Sequence, residues 1–124
     1  MKKILLVEDD PLLIDIYSMK LKQSGFEVCV VENGEKALEA VEEQKPDLVL
    51  LDIVLPHIDG WDILESLRAS ETLKGIQIVI LSNLGQKEEI AKGLRLGAAK
   101  YLIKAHYTPS EIVQEIINLI GNPL

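Results

Sequence analysis

Five short apolar runs recur along the chain, and each is followed by a longer amphipathic stretch. The runs cover residues 4–7, 28–31, 48–51, 76–81 and 101–103. Runs this short and this apolar are typical of strands that are buried on both faces, as in a parallel sheet. The alternation predicts an α/β fold of the (βα)5 type, in which right-handed crossovers place helices on both faces of a doubly wound, five-stranded parallel sheet.

The stretches between the runs carry apolar residues at helical spacing. We predict helices over residues 11–24, 35–44, 61–73 and 87–96, and a fifth from the capping box at 108–111 to Gly121. Asp10 precedes Pro11 and is expected to be the N-cap of the first helix. Asp59 and Gly60 are expected to form the turn and cap before the third helix.

Length, charge and cysteine content narrow the class of protein. The 124 residues suffice for one domain, which we expect to span residues 1–124. The net charge of −7 argues against direct nucleic-acid binding by this domain. Cys29 stands alone, so no internal disulfide can form. Because no apolar run is long enough for a membrane span or a signal peptide, we expect a soluble cytoplasmic protein without membrane contact.

Polar side chains follow the apolar runs at positions that this fold would bring together. Ligands of such sheets bind outside the carboxyl ends of the strands, and there the sequence places Glu8, Asp9, Asp52, Ser82 and Lys104. If the first and third strands are neighbours, the three carboxylates converge and raise one another's pKa values. Mg²⁺ would relieve that repulsion, because it binds carboxylate, water and phosphate oxygens.

This set of side chains is suited to phosphoryl chemistry. Mg²⁺ and Lys104 would neutralise phosphoryl oxygens, and the hydroxyl of Ser82 would donate to one of them. An aspartate can itself be the nucleophile and become an aspartyl phosphate. Asp52 is the best candidate, because it lies alone at the end of its strand. Pro56 and Gly60 fit the rigid, tightly turned loop that follows it.

Four stretches stand in order at the predicted strand ends: ILLVEDDP, VLLDIVLPHIDG, VILSNLG and GAAKYLIKA. With them, the whole chain resembles a response regulator receiver domain, the CheY-like fold of two-component signalling. The resemblance implies the flavodoxin-like strand order 2-1-3-4-5. It also implies that Asp52 accepts a phosphoryl group from a histidine kinase or phosphotransfer protein. The domain would then be a signalling phosphoacceptor, not an enzyme.

The resemblance implies a metal site as well. Asp9 and Asp52 would bind Mg²⁺ directly, Glu8 would act through a water, and the main-chain carbonyl of Val54 would be a further ligand. Mn²⁺ could substitute for Mg²⁺ in a site built from oxygen ligands.

Other positions would contact the phosphoryl group or transmit its presence. Ser82 and Lys104 would contact it, and Ser82 and Tyr101 would form the switch. The residues two beyond the aspartate and two beyond the hydroxyl residue influence phosphate loss in the family. Here they are Val54 and Leu84, whose apolar side chains cannot orient a water, and we predict slow self-dephosphorylation.

The sequence departs from the family pattern in the loops. The residue after the lysine is Ala105, where the family often has a cis proline, so a cis bond is not expected. Asn83 replaces a common alanine beside the phosphoryl entry path. Leu55 and Ile58 replace common methionines, and His57 is expected to be a solvent-facing loop residue.

The sequence leaves several partners and alternative functions open. A downstream protein or a fused effector domain would read the face formed by the fourth helix, fifth strand and fifth helix, and phosphorylation could drive homodimers. A haloacid dehalogenase-type phosphatase also uses a strand-end aspartate, but its DxDx[TV] motif is absent from residues 8–12. A receiver-like domain that binds partners without phosphorylation usually lacks an acid, hydroxyl or lysine that this chain retains. The proposed face would carry Lys87, Glu88, Glu89, Lys92, Arg95 and Lys100.

Overall fold

The computed structural model describes residues 1–56 and 58–123. Within these residues, five strands form one parallel sheet in the order β2-β1-β3-β4-β5, which confirms the predicted architecture. His57 lies outside the described residues, so its position in the loop stays a prediction. The strands are β1 (Lys3–Val7), β2 (Glu27–Val31), β3 (Leu48–Leu51), β4 (Gln77–Ser82) and β5 (Lys100–Ile103).

One α-helix follows each strand, and the predicted caps are present. The Asp10 side chain accepts a hydrogen bond from Leu12 N at 3.0 Å, and the Asp59 side chain accepts one from Trp61 N at 2.9 Å. The capping box at Thr108 is also formed. The helices are α1 (Pro11–Gln23), α2 (Ala37–Gln44), α3 (Gly60–Ala69), α4 (Lys87–Arg95) and α5 (Pro109–Ile120).

The third helix ends at Ala69, so the prediction that it continues to residue 73 was wrong. Ser70 leaves the helical region with ψ 126°, and turns occupy the next residues. Leu73, the last residue of the predicted helix, is buried from the turn instead. The Arg68 guanidinium stabilises this path by donating to the Lys74, Ile76 and Gly97 carbonyls.

Two hydrophobic cores lie on opposite faces of the sheet. One core joins the sheet to α2 and α3 and includes Val49, Leu51 and Leu64, while the other joins it to α1 and α5 and includes Leu50 and Ile112. Every residue of β3 is buried, which explains its wholly apolar sequence. No helix in the described part of the chain is long and apolar enough to cross a membrane.

The sheet register sets the level at which the strand ends meet. Val7 of β1 pairs with Leu51 of β3, so the residues after them, Glu8 and Asp52, leave the sheet side by side. The pairing of Ser82 with Ile103 likewise places the end of β4 beside the start of the turn at Lys104. The register therefore gathers the polar strand-end residues at one edge of the sheet.

Candidate functional site

The structure brings the three predicted carboxylates together. One oxygen from each of Glu8, Asp9 and Asp52 lies within 4.8 Å of the others. They line a cleft of about 410 Å³ at the carboxyl edge of the sheet, which Ser82 and Lys104 also line. Glu8, Asp52 and Ser82 are buried, whereas Asp9 is exposed.

Lys104 bridges two of these carboxylates. Its Nζ atom lies 2.7 Å from Glu8 Oε1 and 2.8 Å from Asp52 Oδ2. Only 11% of the Lys104 side chain is exposed, so water does little to screen these pairs. Charges this deeply buried persist only when they are paired, and the lysine supplies the compensation that the acidic cluster needs.

Burial and pairing shift the pKa values of this group. Burial raises the pKa of Glu8, and the charge of Asp52 adds to the rise while the hydrogen bond from Lys104 opposes it. Repulsion between carboxylates, predicted from the sequence, is therefore the smaller of the two causes that raise it. Burial alone would lower the pKa of Lys104, but hydrogen bonds to Asp52 and Glu8 outweigh it, and the pKa rises.

Backbone amides orient the two buried carboxylates. Asp52 Oδ1 accepts from Val54 N at 3.0 Å, and Glu8 Oε2 accepts from the amides of Asp9 and Asp10 at 3.1 and 3.3 Å. The loop after Asp52 is tight, since a Cβ atom at Gly60 would lie 2.5 Å from Ile53 Cα and 2.8 Å from the Asp52 carbonyl. Glycine thus lets α3 begin directly against the site.

The acidic cluster fits a hard divalent cation. Its three carboxylate oxygens lie within 4.8 Å of one another, and carboxylate oxygen is the ligand type that Mg²⁺ prefers in proteins. The set contains oxygen ligands, which both Mg²⁺ and Mn²⁺ accept. Val54, whose carbonyl is the further predicted ligand, lies at the same cleft.

The predicted switch residues are connected through Leu84. Ser82 Oγ, which is fully buried at the end of β4, accepts a hydrogen bond from Leu84 N at 3.2 Å. The Tyr101 hydroxyl donates to Leu84 O at 2.6 Å, and the tyrosine is half-buried on the edge strand β5. The sequence predicted both ends of this connection, but a partner that is a main-chain carbonyl leaves no signal in the sequence.

Two of the residues that differ from the family pattern, Ala105 and Asn83, lie in the segments that follow β5 and β4 around the cleft. Described peptide bonds are all trans, as expected for Ala105, and a short 3-10 turn runs from Lys104 to His106. Asn83 is exposed at the cleft. Sequence reasoning also missed a contact beside the site, in which Lys92 Nζ lies 4.6 Å from the centre of the Trp61 ring.

The order of strands, the acidic cluster and the buried lysine agree with an independent comparison. The family model for the response regulator receiver domain matches residues 4–117. The chain belongs to this family. It is therefore a response regulator receiver domain of the kind found in two-component systems.

Relatives and solved structures support the assignment. This receiver domain is 38% identical over 115 residues to the DNA-binding response regulator MtrA of Mycolicibacterium smegmatis, a match that covers 93% of this chain and 49% of MtrA. The chain spans about half the length of the curated relatives it matches. The BeF3-activated N-terminal receiver domain of Klebsiella pneumoniae RstA is 34% identical, with a TM-score of 0.84 and coverage of 95% of this chain and 97% of that one. The Mn(2+)-bound form of response regulator Rcp1 is 26% identical, with a TM-score of 0.86 and coverage of 100% and 97%.

Proposed function

We propose that Asp52 accepts a phosphoryl group from a histidine kinase or phosphotransfer protein in the cytoplasm, in a Mg²⁺-dependent reaction. The observation that carries the proposal is the meeting of Asp52 with an acidic pair, a buried hydroxyl and a buried lysine in one cleft. Each supplies a function that phosphoryl transfer requires: nucleophile, metal ligand, hydrogen-bond donor and positive charge.

In the proposed transfer, a carboxylate oxygen of Asp52 forms a bond to phosphorus while the phosphorus–nitrogen bond of a phosphohistidine breaks. The electron pair of the broken bond returns to the imidazole nitrogen of the donor. Lys104, already 2.8 Å from Asp52, would exchange its bond to Glu8 for one to a phosphoryl oxygen. Ser82 would donate its hydroxyl to a second oxygen, and the exchange would disturb its bond with Leu84 N.

Bound Mg²⁺ would neutralise the phosphoryl oxygens during transfer. Asp9, Asp52 and the Val54 carbonyl would bind it directly. Glu8 would act through a water, because its two oxygens already accept hydrogen bonds from Lys104 and from the amides that follow it. The Mn(2+)-bound form of response regulator Rcp1 supports the binding of a divalent cation by a domain of this fold.

The proposed role is that of a signalling phosphoacceptor rather than an enzyme. A phosphatase of the haloacid dehalogenase type would need a large insertion after the first strand, but a single helix, α1, lies between β1 and β2. Steady turnover of a phosphomonoester by the protein would contradict this proposal.

The central test uses beryllofluoride with Mg²⁺, which mimics an aspartyl phosphate, and follows the fluorescence of Trp61 beside the site. We expect a saturable response that Asp52→Asn abolishes without loss of the fold. Asp15→Asn removes an exposed carboxylate on α1 outside the cleft and should respond like the unmodified protein. A response that survives Asp52→Asn would mean that the acceptor is another residue.

The apolar side chains near Asp52 bear on the lifetime of the phosphorylated form. Val54 is 58% exposed at the cleft, and Leu84 lines the same space. Neither can position a water, so we expect phosphate loss to be at least about tenfold slower than in a Val54→Asn, Leu84→Glu double variant, since acid–base groups contribute factors of about 100 to 10,000. Phosphate release measured after labelling both proteins tests this, and equal rates would refute it.

The proposed output is a change at the face of α4, β5 and α5, read by a separate protein, a fused effector domain or a second copy of the domain. The DNA-binding response regulator MtrA, of which the match covers 49%, supports a fused effector domain as one such partner. Two lysines of this face are engaged within the protein, since Lys100 forms an ion pair with Glu115 and Lys92 lies over Trp61. Partners would therefore meet the remaining charges of α4.

A further inference from the structure

The helix α4 contacts the sheet through a glycine. Gly93 is its one buried residue, and the other eight are exposed or half-buried. A glycine inside a helix costs stability relative to alanine, so its presence calls for a reason. A Cβ atom at Gly93 would lie 2.8 Å from Tyr101 Cδ2 and 2.8 Å from Ile80 Cδ1. The backbone of α4 thus lies directly against the tyrosine ring.

We propose that Gly93, because it has no side chain, lets Tyr101 pack inward against the backbone of α4 and so couples α4 to the cleft. This inference rests on the proposed function. Three contacts make the connection. Leu84 N donates to Ser82 Oγ at 3.2 Å, Tyr101 donates to Leu84 O at 2.6 Å, and the ring of Tyr101 lies on Gly93. A change at the buried hydroxyl of Ser82 therefore reaches the α4 backbone without passing through any side chain of α4.

The packing decides which neighbour would yield to a larger residue at 93. Ile80 is fully buried in β4, whereas Tyr101 is only half-buried and lies on the edge strand β5. An added methyl group would therefore push the Tyr101 ring outward, since overpacking is relieved where the structure can move. The hydroxyl would then leave the Leu84 carbonyl, and α4 would lose its connection to Ser82.

The position of the ring can be measured in the unmodified, unphosphorylated protein. Tyrosine is labelled on the ring, the signal of Tyr101 is assigned with Tyr101→Phe, and its nuclear Overhauser effects to the Ile80 methyls are recorded. Gly93→Ala should lose these effects. Gly75→Ala is the matched control, because a Cβ atom there meets no atom within 4 Å, and it should keep them. A Gly93→Ala protein that retains them would overturn the inference.

A double-mutant cycle on Tm separates the two neighbours. Gly93→Ala should lower the Tm of the unmodified protein but not that of Tyr101→Leu, where the ring is gone. In Ile80→Val, which removes only Cδ1, the loss should persist. Two outcomes would mean that Gly93 does not accommodate Tyr101. Either Ile80→Val removes the drop in Tm, or Gly93→Ala lowers the Tm equally in the unmodified, Tyr101→Leu and Ile80→Val proteins. If Gly93→Ala alone does not fold, the double variant Gly93→Ala, Tyr101→Leu decides the matter. Folding of the double variant supports the packing of Tyr101 on Gly93, and its failure to fold contradicts it.

Beryllofluoride titrations of the full chain distinguish this inference from the proposed function. Gly93 does not line the cleft, so Gly93→Ala should bind beryllofluoride within about threefold of the unmodified protein. The α4 amide resonances should shift on binding in the unmodified protein and in Gly75→Ala, but not in Gly93→Ala. Equal shifts in Gly93→Ala would overturn the coupling. If none of these proteins binds beryllofluoride, the proposed function fails. The nuclear Overhauser measurement still tests whether Tyr101 packs on Gly93.

Discussion

At the scale of single residues, Lys104 controls the charge balance of the cleft. It pairs with Glu8 and Asp52, and both carboxylates are almost completely buried. Removing one partner of a buried ion pair destabilises a protein by more than the pair stabilised it. The reason is that the desolvation cost of the remaining charge is no longer offset. We therefore expect Lys104 to stabilise the fold independently of the proposed phosphorylation.

Replacing Lys104 with Met should lower the free energy of unfolding by about 3 kcal/mol at pH 7 without Mg²⁺, since it leaves two buried carboxylates uncompensated. Urea unfolding measures the loss. Lys74→Met breaks the exposed pair with Glu71 and is the matched control, with an expected loss below about 1 kcal/mol. Similar losses in the two variants would contradict the role of Lys104.

The loss of unfolding free energy caused by Lys104→Met should become smaller in acid. Burial raises the pKa of Glu8, and loss of the lysine would raise it further. Between the ordinary glutamate pKa and this raised pKa, Glu8 is protonated in the folded state but ionised in the unfolded chain. The free energy of unfolding therefore rises as the pH falls through this window. Urea unfolding of both proteins from pH 7 to pH 4.5 tests this sign, and a deficit that grows in acid would contradict it.

At the scale of elements, α1 presents an apolar face beside the cleft. Leu12 is 66% exposed, Ile16 37% and Met19 59%, at a spacing that places them on one side of the helix. Asp10, which follows the proposed metal ligand Asp9, caps this helix. An exposed apolar face next to the proposed phosphoryl-acceptor site supports a protein as the phosphoryl donor.

Met19→Glu should slow phosphoryl transfer from the cognate protein donor by about tenfold, because loss of a central interface contact costs more than about 1 kcal/mol and about 1.4 kcal/mol corresponds to a factor of ten. Labelling by a small acyl phosphate should be unchanged, since Met19 lies outside the cleft. Leu94→Glu on α4, which is 48% exposed, is the control and should leave both rates unchanged. Equal slowing with both donors would rule out a docking role for α1.

At the scale of the whole molecule, the cleft joins segments that are distant in the chain. Glu8 and Asp9 follow β1, Asp52 follows β3, and Lys104 follows β5. A cation bound by residues from two strand ends stabilises the native state by mass action, because the unfolded chain does not hold these residues together. Metal binding at the proposed site would therefore raise the global stability.

Free Mg²⁺ at one hundred times its Kd should stabilise the fold by about 2.7 kcal/mol and raise the Tm. Asp9→Asn should remove most of this increase, because it deletes a proposed direct ligand, whereas Asp15→Asn should keep it. Thermal unfolding with Mg²⁺ and with a chelator measures the effect. An Asp9→Asn protein that responds like the unmodified one would exclude Asp9 as a ligand.

The sequence by itself determined the five strand–helix units, the caps at Asp10, Asp59 and Thr108, and the polar residues at the strand ends. These features depend on hydrophobic periodicity and on hydrogen bonds between residues close in the chain, and both are visible in a single sequence. The strand order 2-1-3-4-5 came from the family resemblance, since alternation alone does not say which strands are neighbours.

Only the tertiary structure decided how these residues meet. Lys104 pairs with residues 96 and 52 positions away, and burial proved a larger cause of the raised Glu8 pKa than repulsion. The end of α3 and the contact of Tyr101 with Gly93 were also decided there. Packing between distant segments fixes all of these features, since it determines which groups lose water, which carbonyl is within reach and where no Cβ atom fits.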